Sequence, residues 1–287
     1  MTSIRNRVTL VAAGRGGVGT SSVCAALGAA AHLRGERVLL VDGAEHTSTI
    51  GPLFGLPGST PGLGLVVRGE ARPEELLVPL DDRFDLLPGG DPEPELAARE
   101  SRGRLAGAYR AVSHLHGAYD RVFIDGGSRL ASIVAGLAGG AGRLALVTTA
   151  DGVALAGAYA VLKVVTSGPR RLPGDRVGLL GDRCEADSAL GVAAIDQFLE
   201  AADHFLGVRI ASVGALPSDP ASLAALAGDR KTGFGGSPLA GAAAVWTVPT
   251  PEEPAESDRK TLPIRPSPSV GTPGSEPDPL TSQAVQE

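Results

Sequence analysis

Lysine is nearly missing from this chain of 287 residues: Lys163, Lys231 and Lys260 are the only three, so the first half holds none. Aromatic residues are almost as scarce, at 3% against 43% hydrophobic residues. The core must therefore be built from Leu, Val and Ala, which suits helices packed on a mostly parallel sheet. There is no Lys/Arg-rich run, and the formal net charge is −6, so neither nucleic acid nor an acidic membrane surface is indicated as a partner. Only two cysteines occur, Cys24 and Cys184, far apart in sequence. They read as small buried thiols of a cytosolic protein and not as a disulfide framework. The opening "MTSIRNR" has no apolar signal core behind its basic residues. No apolar run has the length needed to span a bilayer. The expectation is a soluble, cytoplasmic protein.

What is present is a regular alternation. Strand-like runs "RVTLVAA" from Arg7, "RVLLVD" ending at Asp42, "FDLLPGG" from Phe84, "RVFIDGG" from Arg121, "RLALVTT" ending at Thr149, "RVGLLGD" from Arg176 and "RIASVGALP" from Arg209 are separated by helical patterns. Helices are expected over about Thr20–Arg34, Glu93–His116, Ser132–Leu137, Ala154–Thr166 and Ser188–Phe205. Such alternation predicts an α/β fold, a parallel sheet with helices on both faces. Ligands then sit beyond the C-terminal strand ends, where the glycines and aspartates of this chain fall. From Pro249 the character changes. The last 39 residues hold nine of the 22 prolines and no aromatic residue. Residues 249–287 are therefore expected to be a disordered Pro-rich tail following one domain over 1–248, with no amphipathic membrane helix.

The chemistry centres on "VTLVAAGRGGVGTSSVCAAL" (Val8 to Leu27), a strand, a glycine-rich turn and a helix start. Two readings fit the same letters. Gly14, Gly16 and Gly19 satisfy G-x-G-x-x-G, and Asp42 closes the next strand where a ribose-binding acid would sit in a dinucleotide-binding unit. Gly14 and Gly19 followed by Thr20 and Ser21 also form a phosphate-binding P-loop without its lysine. A bare G-x-G-x-x-G separates nothing. "RVFIDGG", however, is an apolar strand ending in Asp125, the form of a Walker B segment that would hold a magnesium water. Ser21 stands where a P-loop hydroxyl binds that same metal.

With these phrases in order, the chain resembles the MinD/ParA family of P-loop ATPases, and within it the FlhG (FleN, YlxH) branch of flagellar-number regulators. "GRGGVGTSS" is similar to that family's phosphate loop, "VLLVDGAEHTSTIGPLFGL" (Val38 to Leu56) to its second-strand segment, and "DLLPGG" (Asp85 to Gly90) to a phrase of the family. "YDRVFIDGGSRL" resembles its Walker B stretch, "LVTTADGVALAGAYAVLK" (Leu146 to Lys163) a later strand and helix, and "FLGVRIASVGALPSD" (Phe205 to Asp219) its last strand. The likeness spans roughly Arg7 to Trp246. It implies a three-layer P-loop fold, with nucleotide held by Gly14, Arg15, Gly16, Gly17, Val18, Gly19, Thr20, Ser21 and Ser22, and with adenine near Asp182, Pro217 and Asp219. A magnesium ion would lie on Ser21, Asp42 and Asp125.

The same resemblance marks what is missing. Arg15 stands where the family's signature lysine reaches a dimer partner's nucleotide; arginine keeps the charge but not the shape. Thr20 stands at the lysine that contacts the β- and γ-phosphates, and supplies a hydroxyl without charge. Ala44 stands where a second acid positions the attacking water, and a methyl group can do neither acid nor base work. Arg129 replaces a switch glycine, and Asp182 an asparagine that reads adenine. The glycine loop and the helix start behind it can still attract an anion.

Elsewhere the default readings stand. His32, His46, His114, His116 and His204 show no metal-ligand spacing and read as solvated helical surface. Ser128 and Ser132 lie near acids without a nucleophile elbow. "DDRFD" and "DPEPE" read as solvated acidic loops, and "AHLRGER" as a helix end stopped by glycine.

The expectation is therefore a degenerate FlhG-like regulator or scaffold that binds ATP or ADP with magnesium weakly or not at all, with no catalytic residue assigned. It would act in flagellar placement or number control, or a related positioning process. Partners would be proteins, such as a flagellar GTPase or a polar-positioning factor, with a homodimer as a further option and recruitment to a pole or membrane left to a partner. Neither an N-terminal extension of the kind that engages the GTPase nor a C-terminal amphipathic helix is read in the sequence. One alternative is a slow Mg-ATPase that dimerises around ATP. A distant one is an NAD-binding oxidoreductase.

Overall fold

The apolar runs become strands buried from end to end. In chain order the elements are β1 (Val8–Ala13), α1 (Thr20–Leu33), β2 (Val38–Asp42), α2 (Ile50–Leu53), α3 (Leu63–Arg68), β3 (Val78–Asp81), β4 (Phe84–Leu87) and α4 (Ser101–His114). They continue as β5 (Arg121–Asp125), α5 (Leu130–Gly139), β6 (Arg143–Thr148), α6 (Gly152–Ser167), β7 (Val177–Asp182), α7 (Ala189–Leu206) and β8 (Ser212–Leu216). The computed structural model describes residues 7–43, 48–90, 101–167, 171–182, 189–210 and 212–216. All of these belong to a unit spanning Met1–Ser257; a second unit, Asp258–Glu287, and the expected boundary after residue 248 lie outside the described residues.

The strands form one eight-stranded sheet in the order β3-β4-β2-β5-β1-β6-β7-β8. Every neighbouring pair is parallel except β3 and β4. β1, β2, β6 and β7 are buried at every position, as expected of strands covered on both faces. Successive side chains feed opposite cores. Val11 and Leu40 pack on the side of α1 and Phe54, while Leu10 and Leu39 pack on the side of α4, α5 and α6 through Tyr109, Ile133 and Val161. α1 can lie close to the sheet because its buried face is lined by small residues, Ala25, Ala26, Ala29, Ala30 and Ala31 among them. Its Gly28 faces Leu40, and Gly35 (φ 84°) stops it where the sequence places a stop.

Strand order decides between the two readings of the glycine loop. In a dinucleotide-binding unit the first and second strands are adjacent. Here β5 lies between β1 and β2, so Asp42 faces Asp125 and not the glycine loop's own strand. The NAD-binding alternative is overturned by that insertion.

Two smaller expectations also change. "DDRFD" is not a free loop: Asp81 ends β3, Asp82 and Arg83 turn the chain, and Phe84 and Asp85 begin β4. Pro79 in β3 is tolerated because β3 is the sheet's edge. His32 is not a solvated helix residue. Its Nε2 lies 3.3 Å from Asp81 Oδ2 and its ring stacks on Phe84 at 5.2 Å, tying the last turn of α1 to that hairpin. His114 and His204 are exposed as expected, whereas His46, His116 and "DPEPE" lie outside what is described of side chains.

Candidate functional site

The glycine loop spans Gly14 to Gly19, between β1 and α1. Gly14 is held by close approach, since a Cβ there would run into the backbone of Gly157 on α6. Gly19 takes a left-handed conformation (φ 92°), caps α1 without any side-chain hydrogen bond, and its carbonyl accepts the first helical bond from Val23 N–H at 2.9 Å. The amides of Thr20, Ser21 and Ser22 thus open the helix with no capping side chain, the arrangement that favours an anion. Val18 is buried and pins the loop to the core, while Arg15, Gly16 and Gly17 are exposed.

Beside the loop lies a cluster of buried oxygens. β2 and β5 pair so that Asp42 stands opposite Asp125 at the last register position, and both carboxylates are fully buried. Asp42 Oδ2 accepts three hydrogen bonds, from Ser48 Oγ (3.0 Å), Thr49 N (2.8 Å) and Ile50 N (2.9 Å). Asp125 Oδ1 accepts from Gly127 N at 2.9 Å. The Ser21 hydroxyl lies 2.9 Å from Thr49 Oγ1 and is near enough to Asp125 to favour its ionised form. Among the described residues, Asp42 Oδ1 and Asp125 Oδ2 have no hydrogen-bond partner. Burial pushes the Asp125 carboxyl up to about 6, with the Asp42 charge adding to it and the Ser21 hydroxyl and the Gly127 bond opposing. Asp42 is raised by burial too, against the hydrogen bonds from Ile50, Ser48, Thr49 and Gly51.

The remaining positions are distributed around this centre. Asp182 ends β7, is buried, and its carboxylate abuts Gly19, so that any side chain at Gly19 would collide with it. Arg15 is tied in the same chain to Asp151, at 3.2 Å, with both side chains about half exposed (50% and 48%). Asp151 also caps α6 by accepting from Val153 N (3.1 Å) and Ala154 N (3.0 Å). Arg129 is exposed and immediately precedes α5, one residue after Ser128, whose Oγ is the nearest neighbour a Cβ on Gly16 would meet. Ala44, Pro217 and Asp219 lie outside the described residues. Sequence reasoning missed Ser48 and Thr49. Their signal was the polar run leading from Asp42 into a short helix, a run with no period of its own.

Chemically, the arrangement suits a hard cation. Two carboxylates with free buried oxygens and a hydroxyl are a donor set for magnesium, which keeps several waters of its own. Thr20, the first residue of α1, brings a neutral hydroxyl to the helix start.

Residues 7–154 match the model of the family described as cellulose biosynthesis protein BcsQ. The chain belongs to that family. Among solved structures it is similar to a ParA family ATPase from Chlorobium tepidum TLS, at 17% identity and a TM-score of 0.66 over 84% of this chain and 98% of that one. It is also similar to the septum site-determining protein MinD complexed with Mg-ADP from Pyrococcus horikoshii OT3, at 22% identity and a TM-score of 0.64 over 83% and 93%. The MinC:MinD cell division protein complex from Aquifex aeolicus follows at 18% identity and a TM-score of 0.63 over 83% and 92%. No curated protein matches the chain. The fold is thus that of the MinD/ParA P-loop ATPases. Among the described residues no helix is long and apolar enough to cross a membrane.

Proposed function

We propose that this member of the BcsQ family is a regulator or scaffold of the MinD/ParA type that keeps the nucleotide fold and its metal cluster but has lost ATP turnover. The observation that carries the proposal is Thr20: the helix start that would cradle the phosphates offers amides and a hydroxyl but no cation. Arg15 is engaged with Asp151. Its work is then to engage protein partners, as the MinD of the MinC:MinD complex does. The family's description makes cellulose biosynthesis the first process in which to look for those partners. Flagellar placement or number, indicated by the motif resemblance, is the second.

A slow Mg-ATPase is the competing reading, favoured by the intact grouping of Ser21, Asp42 and Asp125. Calorimetric titration with ATP, ADP and NAD in magnesium, alongside phosphate release, separates the two. Weak or silent binding without release is expected. Thr20→Lys is expected to gain ATP affinity by about tenfold or more, the scale of one added charged contact to phosphate. Steady release by the unmodified chain contradicts the proposal.

A further inference from the structure

Building on the reading that this chain works through protein partners, we infer that the edge of the sheet opposite the glycine loop binds an extended acidic segment of a partner protein along a row of arginines. All strands but β3 run in one direction, so they begin on one edge and end at the edge that carries the glycine loop. In sheet order β4, β2, β5, β1, β6 and β7 each start at an arginine or one residue after it: Arg83, Arg37, Arg121, Arg7, Arg143 and Arg176. No run in the sequence makes this row; the sheet assembles it. Arg143 is buried, whereas Arg37 and Arg83 are exposed and Arg7 and Arg121 partly so.

The exposed half of the row is costly as it stands. Val38 pairs with Phe84 and Val8 with Val122, which sets Arg37 beside Arg83 and Arg7 beside Arg121. Like charges side by side on neighbouring strands are destabilising. Three of these guanidinium groups rest on neutral partners. Arg7 donates to the Tyr119 carbonyl (3.3 Å), Arg83 donates to the Gly35 carbonyl (2.8 Å), and Arg37 lies over the Tyr119 ring at 5.3 Å. Among the described residues none of the three forms an ion pair. The acids nearby are engaged: Glu36 by Arg34 and Arg121, Asp85 by the Tyr119 hydroxyl, and Asp120 by the Arg37 amide, which leaves Asp82 in the β3–β4 turn. Helix C-termini attract cations, but Arg83 follows strand β3 and not a helix.

The spacing and the chemistry select the partner. Four strands about 4.8 Å apart span about 14 Å, the length of roughly four extended residues. Guanidinium forks match carboxylates in pairs. Nucleic acid fits less well, because the chain carries a net charge of −6 and the aromatics of this edge, Tyr119 and Phe84, are buried and offer bases no face to stack on.

Fluorescence anisotropy of a labelled peptide alternating Glu and Ser, titrated with the nucleotide-free full chain at low salt, tests the inference. That peptide is expected to bind about tenfold or more tightly than its Gln and Ser counterpart, and to be released by salt. Arg37→Glu combined with Arg83→Glu is expected to weaken it about tenfold or more, with folding checked by circular dichroism; Arg37→Gln combined with Arg83→Gln is expected to cost less. Arg72→Glu, an exposed position ahead of the antiparallel β3 and so at the other edge, is expected to leave binding within about twofold. Equal binding of the two peptides, an equal loss in Arg72→Glu, or tighter binding of a single-stranded oligonucleotide overturns the inference. Phosphate release from ATP bears on the loss of turnover and leaves this titration unaffected, so the two can fail separately.

Discussion

At the scale of single residues, Asp125 governs how the cleft responds to pH. Its carboxyl ionises at about 6 in the folded protein against an ordinary 3.8, chiefly because it is buried. Between those values the folded chain holds a proton that the unfolded chain has released. Stability without divalent metal is therefore greatest below about pH 4 for this group and declines as pH rises to about 6, by roughly 2–3 kcal/mol. Urea unfolding in chelator across that range checks the sign; a flat or rising Asp125-dependent component contradicts it. Asp125→Asn removes the buried charge. It is expected to be more stable than the parent at neutral pH in chelator, by about 2 kcal/mol. The surface pair Arg15–Asp151 is different. Both groups are about half exposed, so Arg15→Ala is expected to change the melting temperature little.

At the scale of elements, the site depends on how closely α6 approaches the glycine loop. Gly14→Ala would drive a methyl group into the Gly157 backbone and is expected to destabilise the protein by about 2 kcal/mol or more. Gly16→Ala, whose Cβ would meet only Ser128 Oγ at 3.7 Å, is expected to be nearly neutral; thermal melts of the pair check the contrast. Sequence reading succeeded where an element carries its own signal. The buried strands were legible as unbroken apolar runs, and α1 as a helix between Gly19 and Gly35. It failed where the element is short or stabilised by tertiary contact: α2 has four residues, α3 has six, and β3 contains Pro79. His32 looked like surface because its partners, Asp81 and Phe84, lie about fifty residues away and meet it only through the β3–β4 hairpin. The grouping of Ser21, Asp42 and Asp125 was legible in the sequence, since each ends a strand or opens a helix. Ser48 and Thr49 were not, because their role follows from the fold bringing them under Asp42 and beside Ser21.

At the scale of the whole molecule, the insertion of β5 between β1 and β2 makes this a P-loop sheet and assembles the Ser21–Asp42–Asp125 centre. Under the proposed function this centre is kept while Thr20 leaves the phosphate side without a charged side chain. On the proposed function, that asymmetry leaves the chain to act through protein partners and not through ATP turnover. Steady-state phosphate release by purified full-length protein with magnesium and ATP tests it most directly. Release no faster than that of an Asp42→Asn, Asp125→Asn double variant is the predicted result; sustained release that this double variant abolishes would contradict it.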